Sequence, residues 1–217
     1  MKLQTASPAD LCVDVDEVLV ASQCAGLRAA SVKGVFRYLS DLTPGEISAI
    51  TGSGLTLYFV NHSRLPGWIP SSVDGTADGN RDVSQLQKLG VPKGVHMFFD
   101  LEGVGDGPIP TAARGQANVV AHVSAWAAVV SAAGYIPALY VGAQALLTSA
   151  QLYALPVFLY WASASNITDA AENAAVPECN WSVIQGRPVD VMVAGVEADY
   201  DSVYQDNKGR LPIGVAA

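Results

Sequence analysis

Short apolar runs recur along the first two thirds of the chain, separated by longer stretches with apolar residues at helical spacing. A continuous apolar run of five to seven residues, rich in Val, Leu, Phe and Tyr, is typical of a strand that is buried on both faces. These runs comprise residues 11–15, 35–39, 55–60, 94–99 and 135–141. They predict five strands, each followed by a stretch of different character.

The intervening stretches carry helix signals. The clearest is residues 111–133, where apolar positions recur every three or four residues and a glycine follows as a stop. Residues 76–89 show a second stripe that ends at Gly90. Thr43 and Glu46 frame a capping box that begins a short helix. Strand and helix repeated in this way predict a mainly parallel sheet covered by helices.

The last third of the chain predicts strands with little helix between them. Apolar runs at residues 157–161, 181–185, 189–193 and 196–199 enclose one short helical segment at residues 168–175. Strands without long connections are joined by short loops, and short loops allow antiparallel pairing. We therefore expect some of these strands to pair antiparallel.

Chain length limits the architecture that these elements build. Half of the 217 residues are apolar, which suits one globular domain over residues 1–217 with a sizeable core. A barrel of eight βα units takes about 250 residues, so this chain is short for one. The expected fold is an α/β, TIM-like barrel of about five βα units closed by about three strands.

Composition excludes several classes of partner. Acidic residues outnumber basic ones 20 to 12 and no basic run exists, so we expect no nucleic-acid partner. Apolar stretches are interrupted before the roughly 20 residues of a membrane span, and the first ten residues lack the apolar core of a Sec signal. We expect a cytoplasmic chain unless lysis or another route releases it. The three cysteines have no metal-ligand spacing and are expected to be buried thiols.

The strongest chemical signal is the segment 99–102, in which an apolar strand ends in two carboxylates. Side chains alternate along a strand, so Asp100 and Glu102 share one face, with β-carbons roughly 6 to 7 Å apart. Like charges at that distance raise one pKa, which keeps a carboxylic acid protonated as a general acid. Taken alone, a solvated junction between strand and loop explains the pair equally well.

The acidic doublet recurs at two further strand ends. Asp14 and Asp16 close the first run, and Asp199 and Asp201 close the last. The first and last strands of a closed barrel are neighbours, and barrel active sites lie at the carboxyl ends of the strands. We therefore expect Asp14, Asp199 and the central pair to face one mouth, which favours the functional interpretation.

Motif order adds a resemblance to the family 25 glycoside hydrolases, which are peptidoglycan muramidases with a (β/α)5β3 barrel. It is carried by VDVD at 13–16, FDLE at 99–102, FLYWA at 158–162, WSVIQ at 181–185 and VEAD at 196–199. A closer resemblance is to the glycoside-hydrolase-like domain of unknown function, a bacterial family. Its motifs are matched by VD at 13–14, RYL at 37–39 and LGVP at 89–92.

The muramidase resemblance implies roles for four acids. Glu102 matches the general acid that protonates the glycosidic oxygen. Asp100, Asp14 and Asp199 match the acids that stabilise positive charge on the sugar or hold its 2-acetamido group. Asp16 stands where the family has a small hydroxyl residue, and this extra charge bears on catalysis rather than on the fold.

Four other residues are candidate substrate contacts. Arg37 interrupts an apolar strand, where it either reaches the acids of the mouth or lies outward against the helices. Tyr140 and Trp161 lie near strand ends, where an aromatic ring either stacks on a sugar or belongs to the core. Gln185 lies where the family has a Trp-Gln pair and is a hydrogen-bonding candidate. His96 is expected to be a hydrogen-bonded core residue.

Three functions follow from these observations. The first is a glycosidase acting on peptidoglycan or a related amino-sugar polymer, and the second is a barrel that binds such a glycan without cutting it. The third is a metal-dependent hydrolase, since clustered carboxylates also bind Mg²⁺ or Ca²⁺. No cofactor is expected because the glycines at 103–107 lack a following Lys-Ser or Lys-Thr, and protein partners stay open.

Overall fold

The computed structural model describes residues 1–105, 115–164 and 179–217. Strands in these ranges, in chain order, are β1 (Lys2–Thr5), β2 (Leu11–Val15), β3 (Gly34–Tyr38), β4 (Thr56–Asn61), β5 (His96–Leu101), β6 (Ile136–Val141), β7 (Tyr160–Ala162), β8 (Val183–Gln185), β9 (Val191–Val193), β10 (Val196–Val203) and β11 (Ile213–Ala216). The helices are α1 (Ala21–Ala29), α2 (Pro44–Gly52), α3 (Ser72–Lys88), α4 (Gln116–Ala132) and α5 (Ser149–Ala154).

Eight of these strands close into a barrel. Strands β2 to β8 lie side by side in parallel, and β10 completes the ring by pairing antiparallel with both β8 and β2. One helix follows each of the first five barrel strands. The predicted TIM-like barrel of five βα units and three closing strands is therefore confirmed for the described residues.

The closing part of the barrel differs from the prediction in detail. Strand β10 extends to Val203 rather than ending at Asp199, and it enters the barrel at the mouth because it runs antiparallel. Strand β9 pairs with β10 alone and is not a member of the ring. The predicted helix at 168–175, and the first residues of the one predicted at 111–133, lie outside the described residues.

A terminal strand pair that the sequence did not predict joins the barrel beside the start of β4. Strands β1 and β11 pair antiparallel, and Val215 of β11 lies opposite Leu57 of β4. The Ile213 amide donates to Nδ1 of His96 over 2.8 Å, and burial lowers the pKa of His96 to about 4. The prediction of a hydrogen-bonded core histidine is confirmed. Strand β1 was missed because all four of its residues are exposed, so it shows no apolar pattern.

Helix α3 packs closely on α4 through two glycines. A β-carbon added to Gly75 would lie 2.2 Å from the carbonyl oxygen of His122, and one added to Gly79 would lie 2.9 Å from Cβ of Val129. Only glycine permits this approach, even though it weakens an isolated helix. The buried face of α3 therefore differs from the predicted apolar stripe, and it brings Asp78 and Asp82 into the interface between the helices.

The core has two layers because side chains alternate along each barrel strand. In β3, Phe36 points inward, while Val35 and Arg37 point outward under the helices. The three cysteines are buried, as expected. Among the helices of the described ranges, none combines the length and the apolar character needed to cross a bilayer.

Candidate functional site

An acidic pocket of about 580 Å³ opens at the carboxyl ends of the parallel strands. Eight of its lining residues are Asp or Glu, and among the described residues that line it none is Lys or Arg. All four predicted catalytic acids line this acidic pocket, namely Asp14, Asp100, Glu102 and Asp199. Three strands far apart in sequence therefore direct their acids into one mouth, as the recurring doublets predicted.

One wall of the acidic pocket holds Asp14 and Asp199, which lie opposite each other in neighbouring strands. Gln185 bridges them, with its Nε2 donating to Oδ2 of Asp14 over 2.8 Å and to Oδ2 of Asp199 over 2.9 Å. The Ala164 amide donates to Oε1 of Gln185, and this fixes which end of the side-chain amide faces the acids. Gln185 therefore positions both carboxylates.

A third carboxylate lies beneath this pair. Asp201 is fully buried, and its Oδ1 accepts from Nε1 of Trp161 over 2.7 Å. Burial, together with the charge of Asp199, raises the pKa of Asp14 to about 8. Burial and the neighbouring Asp14 also raise the pKa of Asp201. Within the described ranges these three acids accept hydrogen bonds from amide and indole donors and from no cation, so Asp14 stays protonated near neutral pH.

The opposite wall holds Asp100 and Glu102 at the end of β5. Nδ1 of His62 is hydrogen-bonded to Oδ2 of Asp100, and the ring of His62 stacks on Tyr38 with centroids 4.7 Å apart. Burial raises the pKa of Asp100 although the bond to His62 opposes that shift, and the same bond raises the pKa of His62. Oδ1 of Asp100 is buried and has no hydrogen-bond partner within the described ranges.

Glu102 is half-buried in the acidic pocket, and its backbone is held by a long-range contact. Nε1 of Trp68 donates to the Glu102 carbonyl over 2.9 Å. The Glu102 side chain fits because residue 142 is glycine. A β-carbon on residue 142 would lie 2.4 Å from Oε2 and 2.5 Å from Cβ of Glu102. Gly142 is therefore part of the site, although a single glycine after a strand carries little signal in the sequence.

His62, Asp100 and Glu102 form the described group best placed to bind a metal ion. Their potential ligand atoms all lie within 4.8 Å of one another. One nitrogen and two carboxylate oxygens suit a divalent transition metal such as Mn²⁺ or Zn²⁺. Sequence reasoning missed His62 because it lies 38 residues from Asp100, and only the pairing of β4 with β5 brings the two together.

Three of the four predicted substrate contacts line the acidic pocket. Tyr140 donates from its hydroxyl to Oε1 of Gln185 over 3.3 Å. Trp161 is 2% exposed and packs on Phe36 with ring centroids 4.4 Å apart, so it forms part of the floor. Trp161 is held in the floor because its indole nitrogen donates to Asp201, which lies beneath it.

Arg37 requires a correction, because it does not reach the acidic pocket. It points outward from β3 and is 1% exposed, with its Nε donating to Oε1 of Glu46 in α2 over 2.7 Å. Its Nη1 donates to the carbonyl oxygens of Val15 and Asp16. The phase of β3 decides this: Phe36 faces inward, so its neighbour must face the helices. Arg37 supports the backbone at the end of β2 instead of contacting a substrate.

Solved structures of similar fold include an uncharacterized B. stearothermophilus protein, with TM-score 0.66 and 21% identity over 89% of this chain and 95% of that one. The modular autolysin LytC from Streptococcus pneumoniae gives TM-score 0.61 and 15% identity over 90% of this chain and 47% of that one. The catalytic domain of endolysin ply40 from bacteriophage P40 of Listeria monocytogenes gives TM-score 0.56 and 15% identity, covering 91% and 94%.

At these identities the three likenesses concern the fold. A search of curated proteins finds no match. Residues 25–207, most of the chain, match the family described as "Rv2525c-like, glycoside hydrolase-like domain". This chain therefore belongs to the Rv2525c-like, glycoside hydrolase-like domain family.

Proposed function

We propose that this chain is a glycosidase that cleaves β-1,4 links between amino sugars in peptidoglycan or a related polymer. The observation that carries the proposal is the acidic pocket itself, in which the Asp100 and Glu102 pair faces the Asp14 and Asp199 pair. Glycoside hydrolysis needs an acid for the leaving oxygen and a second carboxylate at the sugar. The two walls offer carboxyl groups in different hydrogen-bonding environments, which is how such roles are separated.

In this mechanism Glu102 donates its proton to the glycosidic oxygen as the bond to the anomeric carbon breaks. Positive charge then develops on the sugar ring, and ionised carboxylates on the pocket walls stabilise it. Asp100 is held for this purpose by His62, while Gln185 positions Asp14 and Asp199 on the other wall, where they orient the sugar. The stabilising role passes to the 2-acetamido group of the substrate itself where the chemistry is substrate-assisted, with an acid orienting that group. Water adds to the anomeric carbon and returns a proton to Glu102, which regenerates the acid.

The similar structures support the choice of polymer. The LytC autolysin was solved in complex with a synthetic peptidoglycan ligand, and its TM-score against this chain is 0.60 in that complex. The charge of the acidic pocket agrees with an uncharged saccharide backbone as its occupant. An anionic polymer such as a nucleic acid would be repelled there.

The proposal is tested by measuring the release of soluble muropeptides from purified peptidoglycan, with products identified by mass spectrometry. We expect release by the wild type and its loss in Glu102→Gln, which preserves side-chain size and removes the acid. Asp41→Asn is a matched control, because it removes one carboxylate from an exposed residue outside the acidic pocket. Equal release by the wild type and Glu102→Gln would refute the assignment. Binding of peptidoglycan with no release by any variant would assign a glycan-binding barrel instead.

A second candidate, a metal-dependent hydrolase, rests on the group formed by His62, Asp100 and Glu102. A cation bound there would bring a water molecule to the acidic pocket and lower the pKa of that water. The two candidates differ in their response to a chelator, since only the second loses its activity when the metal is removed.

A further inference from the structure

A second cavity, of about 310 Å³, adjoins the acidic pocket behind His62. His62 lines this second cavity, and it also contacts Tyr38 and Asp100, which line the acidic pocket. The walls come from the segments after β3 and β4 and from one face of α3. They comprise Leu39, Ser40, Asn61, His62, Ser63, Arg81, Asp82, Ser84 and Gln85.

The exposed charge of the second cavity is positive. The Arg81 side chain is 54% exposed, and one of its terminal nitrogens donates to Oδ1 of the fully buried Asp78. Asp78 also receives three hydrogen bonds from Arg64, so two guanidinium groups share a single carboxylate. Asp82 is buried, and its Oδ2 accepts from Asn61 and from Trp126, which directs that oxygen toward the protein interior.

Neutral donors line the same cavity as this guanidinium. Ser40, Ser63 and Ser84 are exposed, and within the described ranges their hydroxyl groups make no hydrogen bond to the chain. Gln85 adds a side-chain amide at the same wall. A guanidinium that shares a cavity with hydroxyl and amide donors is suited to a carboxylate, which accepts up to four hydrogen bonds.

We propose that the second cavity is a carboxylate-binding subsite that receives the lactyl-peptide arm of a glycan whose sugars lie in the acidic pocket. This inference rests on the proposed function and specifies the substrate further. Peptidoglycan combines an uncharged saccharide backbone with arms that end in carboxylates. The ionised acids of the acidic pocket repel such an arm, and the second cavity beyond His62 provides the complementary charge.

The test is equilibrium binding by calorimetry to two probes, with Glu102→Gln as the parent so that neither probe is cleaved. One probe is a tetrasaccharide of alternating N-acetylglucosamine and N-acetylmuramic acid that carries pentapeptide arms. The other is the N-acetylglucosamine tetramer, which has no carboxylate. Adding Arg81→Gln is expected to weaken binding of the first probe about tenfold and to leave the second unchanged, since a hydrogen bond to a charged group is worth about that factor.

Controls separate this effect from a loss of charge or of folding. Lys88→Gln removes one positive charge from the same helix outside both cavities and is expected to change neither affinity. Arg81→Lys keeps the charge and is expected to retain part of the preference. Unchanged affinity of Arg81→Gln for the peptide-bearing probe, or an equal loss for both probes, would overturn the subsite. A parent that binds neither probe would instead overturn the proposed function on which the subsite depends.

Discussion

Two regions of this molecule hold buried carboxylates whose pKa values shift in opposite directions, namely Asp78 in α3 and the pair of Asp14 and Asp100 in the acidic pocket. Around Asp78 in α3, burial would raise the pKa, but hydrogen bonds from His122, Arg64 and Arg81 outweigh it and the pKa is lowered. In the acidic pocket, burial raises the pKa of Asp14 to about 8, and it also raises the pKa of Asp100. Burial is common to both regions, so the number of cationic partners decides the sign.

The difference separates a structural role from a functional one. Compensated charge at Asp78 joins α3 to α4 and to the loop that carries Arg64. Uncompensated acids in the acidic pocket cost stability, and a fold retains such groups where chemistry uses them. The opposed shifts therefore support the proposal that the acidic pocket is the functional site.

The largest expected effect on stability comes from removing the charge of Asp78, which pairs with Arg64 and Arg81. Asp78→Asn leaves Arg64 and Arg81 with their charges unpaired against a buried amide, and we expect it to lower the free energy of unfolding by about 3 to 5 kcal/mol. Urea denaturation followed by circular dichroism measures this. Asp41→Asn, at an exposed position, serves as the control and is expected to change it by less than about 0.5 kcal/mol. A loss below about 1 kcal/mol for Asp78→Asn would show that Asp78 contributes little to structure.

The next effect concerns geometry on the Glu102 side of the acidic pocket. Gly142→Ala forces Glu102 to move, because the new β-carbon would overlap both its carboxylate and its Cβ. A displacement of about 1 Å costs roughly a hundredfold in rate, so we expect muropeptide release to fall by about that factor. Gly52→Ala is the matched control, since no atom lies within 4 Å of its added β-carbon. Equal rates for the two variants would mean that the position of Glu102 does not matter.

Neutralising Asp14 in the acidic pocket is expected to stabilise the fold. The folded-state pKa of Asp14 is about 8 and lies above its unfolded value, so the folded state holds a proton that the unfolded state releases. Wild-type stability therefore falls as the pH rises from about 4 to about 8. Asp14→Asn lacks this loss, and we expect it to be more stable by about 1 to 3 kcal/mol at pH 8 and equal to wild type near pH 4. Thermal melts of both proteins across this pH range measure the difference. If the stability of the wild type and of Asp14→Asn changed in parallel with pH, the raised pKa of Asp14 would be contradicted.

The smallest expected effect is that of a chelator. If His62 compensates Asp100 only by its hydrogen bond, EDTA leaves both the melting temperature and muropeptide release of the wild type unchanged. A melting temperature that rises by several degrees with Mn²⁺, and fails to rise in His62→Gln, would show that a cation completes this wall. That result would favour the metal-dependent hydrolase.

Local pattern made much of the fold and part of the candidate site predictable. Apolar runs identified the barrel strands from β2 to β6 because strands buried on both faces need them. The acid doublets were predictable as a site because period two and the barrel rule act on neighbouring residues and on strand ends. The terminal strand pair escaped because β1 has no apolar pattern, whereas the run at 189–193 predicted β9 but not that it pairs with β10 outside the ring.

By itself the sequence determined which acids end β2 and β5, whereas the antiparallel direction of β10 decided that Asp199 reaches the mouth and Asp201 lies buried beneath it. Only the tertiary structure decided that Arg37 faces Glu46, that Gln185 bridges Asp14 and Asp199, and that His62 reaches Asp100. These contacts depend on strand phase and on register between strands, which a single run of residues does not specify. The pKa shifts follow from the same source, because burial and the presence of a cation are properties of the packed barrel rather than of any segment.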